Sequence, residues 1–254
     1  MKKELLFGEY FVKANLDEFI NELSNIVVSG KRVHVHTVNV DHLVIAEENY
    51  KFKDVMRKAE YVIADGMPIV WYSKLVKKHL PERITGVDLC YSIIKNSNTM
   101  GFKVFLLGAQ DGVAQKAREN LLKVYKDAEI VGVYSPNPSE LVNEKESYNI
   151  IDMINKSGAN VLFVALGAPK QELWIYQNLS KLETNINIGV GATFDFMSGS
   201  IKRAPKLIQK SGLEWLYRIS QDPKRLIIRY LVKDIRFIKI VIKDLYKNYV
   251  CKPE

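Results

Sequence analysis

The chain has 254 residues, 47% of them apolar and 26% charged, with a net charge of +8. That length can bury one full α/β domain plus an appendage. The absence of any run of about 18 apolar residues excludes a bilayer-spanning helix. Cys90 and Cys251, far apart and outside any C-x-x-C, argue against a disulfide framework or a zinc site. Residues 1–9 alternate charge and apolarity without an apolar signal core, so a cytoplasmic location is expected.

In chain order, Asn15 to Val28 carries Leu16, Phe19, Ile20, Leu23 and Ile26 on one helical face. Arg32 to Val38 reads as a strand, with Asn39 placed to cap the helix after it. Tyr61 to Ala64 is a second strand, ending at Asp65-Gly66. Lys103 to Leu107, Glu129 to Val133, Asn160 to Leu166 and Asn185 to Val190 are further strands. Gly112 to Tyr125, Glu140 to Ser157 and Pro169 to Leu179 are the helices between them. This alternation predicts an α/β, Rossmann-like, mainly parallel sheet flanked by helices. Such sheets bind ligands beyond the C-terminal strand ends, where Thr37, Asn39, Asp65, Gly108, Gly167 and Gly191 fall.

The pattern changes near Met197 to Ser200. Ala204 to Ser220 and Pro223 to Tyr249 read as purely helical. Residues 202–254 hold 14 Lys/Arg against 5 Asp/Glu, whereas the preceding residues hold 23 against 24. The expected division is therefore a catalytic core over 1–197 and a basic helical appendage over 198–254. The charge asymmetry points to an anionic partner: a membrane, a nucleic acid or a phosphorylated substrate.

Five motifs can carry chemistry. Asp65, just after a strand and before Gly66-Met67-Pro68, reads either as a cap of the next helix or as a general base facing a cleft. Thr85-Gly86 opens a helix whose amides can hold phosphate, with Arg83 adding a bidentate cation. Gly108-Ala109-Gln110-Asp111-Gly112 is not a dinucleotide fingerprint; it reads as a tight strand-to-helix turn or, because it lies on the ligand side of the sheet, as one that faces the nucleotide through Gly108. After Gly167-Ala168-Pro169, Lys170 and Gln171 project toward a donor diphosphate or sugar, or else Trp174 packs while Lys170 meets solvent. In Gly189-Val190-Gly191-Ala192-Thr193-Phe194-Asp195-Phe196, Gly191 allows close approach of a ligand. Asp195 can accept from a base or ribose, or tie the core to the tail through Arg203. No D-x-D occurs, and His34, His36, His42 and His79 show only an i, i+2 pair, with His34 and His36 on one strand face. No metal and no cofactor are expected, so Arg, Lys and helix-end amides must stabilise any departing diphosphate.

As an ordered set, T-V-N-x-D-H, A-D-G-M-P-I-V, E-R-I-T-G-V-D-L, G-A-P-K-Q-E-L-W, G-V-G-A-T-F-D-F, R-A-P and L-E-W-L-Y-R-I resemble the WecG/TagA/CpsF family, glycosyltransferase family 26, from Thr37 to Tyr230. The TagA branch is the nearest match. The resemblance implies an inverting, metal-independent transfer of ManNAc from UDP-ManNAc to undecaprenyl-diphosphate-linked GlcNAc, as for the linkage unit of wall teichoic acid. It implies Asp65 as catalytic base, Thr37 and Asn39 as the polar pair beside it, Gln171 as the site glutamine, and Asp195 near the nucleotide. Arg218, Arg225 and Arg229 match the family's basic appendage, which closes over the site and touches the inner face of the membrane.

Other readings stay open at this point. The donor can be UDP-ManNAcA or UDP-glucose, for a capsule or exopolysaccharide. A non-catalytic nucleic-acid binder is disfavoured because aliphatics, not stacking aromatics, interleave the basic residues, and no nucleic-acid partner is expected. An NAD oxidoreductase lacks its glycine fingerprint. The apolar face of the tail has three possible partners: lipid, the core, or a second copy in a homo-oligomer.

Overall fold

The computed structural model describes residues 1–228 and 234–249. Eight strands form one sheet: β1 Lys3–Leu6, β2 Glu9–Val12, β3 Val33–Val38, β4 Tyr61–Ala64, β5 Val104–Gly108, β6 Ile130–Tyr134, β7 Val161–Ala165 and β8 Ile186–Gly189. Their order is β1-β2-β4-β3-β8-β7-β5-β6. Only β1 and β2 pair antiparallel; the other neighbours are parallel. The sheet is thus mixed and mostly parallel, as the strand–helix alternation predicts.

The helices of the first two hundred residues are α1 Leu16–Ser29, α2 Val40–Glu48, α3 Tyr50–Lys58, α4 Met67–Leu75, α5 Gly86–Lys95, α6 Ser97–Met100, α7 Val113–Val124, α8 Pro138–Val142, α9 Glu144–Lys156, α10 Lys170–Asn178 and α11 Thr193–Ser198. Local chemistry sets their ends. Asn15 caps α1 in a reciprocal box with Glu18, and Gly30 closes it in the left-handed region. The expected single helix over 140–157 is two, because the Asn143 side chain accepts from Lys145 and Glu146 and starts α9 afresh.

Alternate residues of the strands feed two apolar layers. Val33, Val35, Phe163, Ile186 and Ile188 join Phe19, Leu23, Leu89 and Ile93 on one face. Phe105, Leu107, Leu162 and Val164 join Ile150, Ile154 and Ile175 on the other. Each such side chain contributes about 1.5–3 kcal/mol by leaving water. That double covering holds the C-terminal strand ends in fixed register.

The β1–β2 hairpin is the element the alternation did not resolve. Its turn, Phe7-Gly8, has positive φ at both residues (55° and 79°), the geometry of a two-residue hairpin turn. Phe11 then aligns with Val62 and adds the hairpin to the sheet edge.

The C-terminal helical extension is more broken than the two long helices expected. It contains α12 Lys206–Lys210, α13 Glu214–Gln221, α14 Pro223–Ile227, a 3₁₀ turn at Asp234–Arg236 and α15 Phe237–Tyr249. Gly212, at φ 77°, ends the first piece. α15 folds back on the core: Phe237, Ile240, Val241 and Leu245 pack with a layer that includes Leu43, Val44 and Tyr72. Tyr72 Oη donates to Asp244 at 2.6 Å, Lys243 pairs with Glu47 at 3.0 Å, and Arg236 pairs with Glu48. Among the described residues no helix is long and apolar enough to cross a membrane.

Candidate active site

Chain order reverses around β3 and β8, and a crevice of about 490 Å³ opens above the C-terminal ends of the strands there. Thr37, Asn39, Asp65, Arg83, Gln171, Gly191 and Arg218 all line it. Val38 aligns with Ala64, so the next residues, Asn39 and Asp65, emerge side by side. Gly66 lies against Asn39; a Cβ there would meet Asn39 Cα at 3.5 Å.

Asp65 does not cap the helix that follows it. The N-cap of α4 is Gly66, with no side-chain capping bond. Asp65 Oδ2 instead accepts from the backbone N–H of Gly86 at 3.3 Å, at the start of α5. Thr85 caps that helix through the Asp88 N–H. Thr37, Asp65 and Thr193 converge on Gly86, each about 3.7–3.8 Å from where its Cβ would sit. Thr37 Oγ1 donates to the Gly189 carbonyl at 2.9 Å, so β3 and β8 are pinned at the crevice floor. Burial pushes the Asp65 carboxyl up to about 6, with Glu214 adding to the rise and Arg83, the Gly86 N–H and His42 opposing it. A carboxylate so placed can take a proton near neutral pH.

The cationic wall combines core and extension. Arg83 Nη2 donates to Glu214 Oε2 at 3.0 Å. Arg203 clamps Asp88 with two bonds of 2.6 and 2.8 Å and reaches Glu214 Oε1 at 3.4 Å. Arg203 is thus a tie between core and extension through Asp88 and Glu214, two carboxylates that the motifs alone did not single out. Arg218 lies over the Phe196 ring, 5.4 Å from its centroid, a cation–π contact that fixes it on the crevice wall.

Beneath the floor lies a buried polar network. Gln171, 2% exposed, accepts at Oε1 from the N–H groups of Gly167 (3.1 Å) and Gly191 (3.0 Å) and donates through Nε2 to Glu172 at 2.6 Å. It therefore holds two crevice-lining turns together from below instead of projecting from the helix start. Gly189 must be glycine for this, since a Cβ would lie 2.7 Å from Gln171 Nε2 and 2.8 Å from Glu172 Oε1. Glu172 Oε1 faces His42 Nε2 at 3.5 Å and His36 Nε2 at 3.9 Å. Burial pushes its pKa up, but His42, His36 and Gln171 outweigh that and hold it ionised. His34 and His36 share a strand face as expected, with rings 5.8 Å apart, and burial pushes both toward the neutral form.

His36, His42 and Glu172 bring three potential ligand atoms within 4.8 Å of one another, a cluster that sequence spacing hid. The fit to a metal is poor at His42. Its Nδ1 accepts from the Asn39 N–H at 3.3 Å, and a neutral imidazole with Nδ1 as acceptor carries its proton on Nε2, the nitrogen that faces Glu172 Oε1 at 3.5 Å. The same box, with His42 N–H donating to Asn39 Oδ1, orients Asn39 on the crevice wall.

Three expected ligand residues lie apart from the crevice. Gly108 ends β5, beyond β7 in the sheet, and its tight approach to Ala165 (2.6 Å from a would-be Cβ to the carbonyl oxygen) makes it a packing glycine. Lys170 is exposed at the start of α10 while Trp174 packs in the core, so the packing reading of that motif is the observed one. Asp195 sits in α11 and is not among the residues lining the crevice, whereas its neighbour Phe196 is. Arg225 is placed only by its backbone in α14, and Arg229 lies outside the described residues.

The model of the glycosyl transferase WecG/TagA/CpsF family matches residues 5–250. The chain belongs to that family. It is also 30% identical over 234 residues, 92% of its length and 88% of the relative's, to an N-acetylglucosaminyldiphosphoundecaprenol N-acetyl-beta-D-mannosaminyltransferase of Bacillus spizizenii. In this WecG/TagA/CpsF glycosyltransferase the motif residues Thr37, Asn39, Asp65, Arg83 and Gln171 meet in one place. The extension closes that place with Glu214, Trp215 and Arg218.

Proposed function

We propose that the chain moves N-acetylmannosamine from UDP-ManNAc to a GlcNAc carried on a polyprenyl diphosphate, at the inner face of the membrane, as in assembly of a wall teichoic acid linkage unit. One observation carries this reading: Asp65 shares its crevice with Arg83, Arg203, Arg218 and the start of α5. A base and a set of anion-binding groups in one cleft suit attack by a sugar hydroxyl with loss of a nucleoside diphosphate.

In this mechanism Asp65 takes the proton of the acceptor hydroxyl as its oxygen bonds to the anomeric carbon. The bond from that carbon to the diphosphate oxygen breaks, and UDP leaves with the electron pair. The attack comes from the face opposite UDP, so the configuration inverts. Arg83, Arg218 and helix-start amides neutralise the diphosphate without a divalent ion. Thr37 and Asn39 hold the acceptor or donor hydroxyls beside the base. The name of the Bacillus spizizenii relative supports ManNAc over UDP-ManNAcA or UDP-glucose as donor.

The test is product analysis with UDP-ManNAc, UDP-ManNAcA and UDP-glucose against a GlcNAc-diphosphoryl-lipid analogue, with and without EDTA. The expected result is an EDTA-resistant ManNAc-β-GlcNAc disaccharide on the lipid. Transfer from another donor alone would replace the substrate assignment, and no transfer from any donor would remove the activity.

A further inference from the structure

The extension is strongly basic, yet it places a carboxylate where a diphosphate should meet Arg83. Between residues 202 and 228 there are seven Lys/Arg and only two acidic residues, Glu214 and Asp222. Glu214 is the first residue of α13, and its side chain is 13% exposed. The turn before it is seated tightly, since a Cβ on Gly212 would lie 2.8 Å from Trp71 Cζ2 and 3.0 Å from Met67 Cγ. From there the two carboxylate oxygens diverge, Oε2 to Arg83 at 3.0 Å and Oε1 to Arg203 at 3.4 Å. Arg203 continues to Asp88 at 2.6 Å. Charges therefore alternate from Asp88 on α5, through Arg203 and Glu214, to Arg83 at the edge of the Asp65 crevice.

An acidic side chain here opposes an anionic donor through space, and no basic-patch logic explains it. It does join the two arginines that flank the crevice. A guanidinium carries five N–H donors in a fixed plane. Holding Nη2 on Glu214 sets the direction of the remaining donors without consuming them.

We propose that Glu214 is a positioning residue for the transfer reaction, docking the extension on the core and fixing the Arg83 guanidinium beside Asp65. This rests on the reading of Asp65 as the base. The groups that act on Asp65 are Arg83, the Gly86 N–H of α5, His42 of α2 and Glu214 of α13, with the buried Cys90 thiol of α5 interacting with it and Asp41, Arg203 and Arg218 on the same crevice. Of these, Glu214 and Asp41 are the anions, so neutralising Glu214 makes the Asp65 carboxylate easier to form.

The test compares Glu214→Gln and Glu214→Asp with the wild-type chain in three readouts. Glu214→Gln is expected to lower kcat about 10-fold while leaving the UDP dissociation constant within about 3-fold, and to move the acid limb of the kcat/KM profile to lower pH by about half a unit. Glu214→Asp, which keeps the charge, is expected to leave that limb in place and recover part of kcat. Trypsin is expected to cut within 202–228 several-fold faster in Glu214→Gln. A Glu214→Gln protein with wild-type kcat, an unmoved limb and unchanged trypsin cleavage overturns the proposal. So does lost activity with an unmoved limb and unchanged cleavage. If even the wild-type chain transfers no sugar, the functional reading fails, and trypsin cleavage still decides the docking role: faster in Glu214→Gln supports it, equal rates end it.

Discussion

Asp65 and Gly86 are joined across the gap between β4 and α5, the carboxylate oxygen accepting the glycine N–H at 3.3 Å. Because the base must be ionised, kcat/KM is expected to rise with pH through about 6 and level off above it, following the raised Asp65 pKa. A kcat/KM profile from pH 5 to 8 measures this; a flat profile across that range would contradict it.

Stability has the opposite sign. A carboxyl whose folded pKa lies above its unfolded value stabilises fully below about pH 4, and that contribution is lost as pH rises through about 6. Asp65→Asn is therefore expected to match the wild-type Tm near pH 4 and to exceed it by about 2–4 °C at pH 7.5. Thermal melts of both proteins at the two pH values check it.

The floor network makes a separate demand. Gly189→Ala sets a methyl 2.7 Å from Gln171 Nε2, in a region where Gln171 and Glu172 are buried and mutually bonded. Overpacking of this kind costs about 1–3 kcal/mol. The mutant is expected to melt several degrees lower and to lose donor affinity, as the Gly167 and Gly191 turns lose their shared anchor. Calorimetry and UDP titration measure the two effects; an unchanged Tm with unchanged UDP affinity would show that the floor yields freely.

Much of this was readable in the residues. The six parallel strands follow from apolar runs bounded by helical periods; Asp65, Thr37 and Asn39 were found because carboxylates and polar groups at strand ends share an edge, and Arg83 because it stands beside the helix start at Thr85-Gly86. What local pattern could not show was long-range pairing. Glu214 and Arg83 are 131 positions apart, and His42 meets Glu172 only because α2 and α10 cover the same sheet face. Gly108 misled for the same reason: it ends a strand on the ligand edge, but strand order, invisible locally, sets β5 away from the crevice. The hairpin at residues 3–12 was masked because its turn uses Phe at positive φ, a residue that gives no turn signal.

The last helix presents two faces. Phe237, Ile240, Val241 and Leu245 pack on the core, while Ile238, Ile242 and Tyr246 stay exposed beside Lys239 and Lys247, with Ile235 exposed in the turn before the helix. Peripheral binding to anionic lipid would use that outer stripe, each nearby Lys adding about 1 kcal/mol. Ile238→Glu with Ile242→Glu is expected to lower sedimentation with anionic vesicles about 10-fold while leaving transfer to a soluble acceptor analogue intact. Unaltered vesicle binding would place the membrane contact elsewhere.

The most direct measurement is transfer by Asp65→Asn, a near-isosteric change that removes the base and keeps the crevice. The expected protein is folded, binds UDP at least as well as the wild type, and transfers sugar about 100-fold or more slowly. A folded Asp65→Asn protein turning over at close to the wild-type rate would contradict the role of Asp65 and, with it, the mechanism built on this crevice.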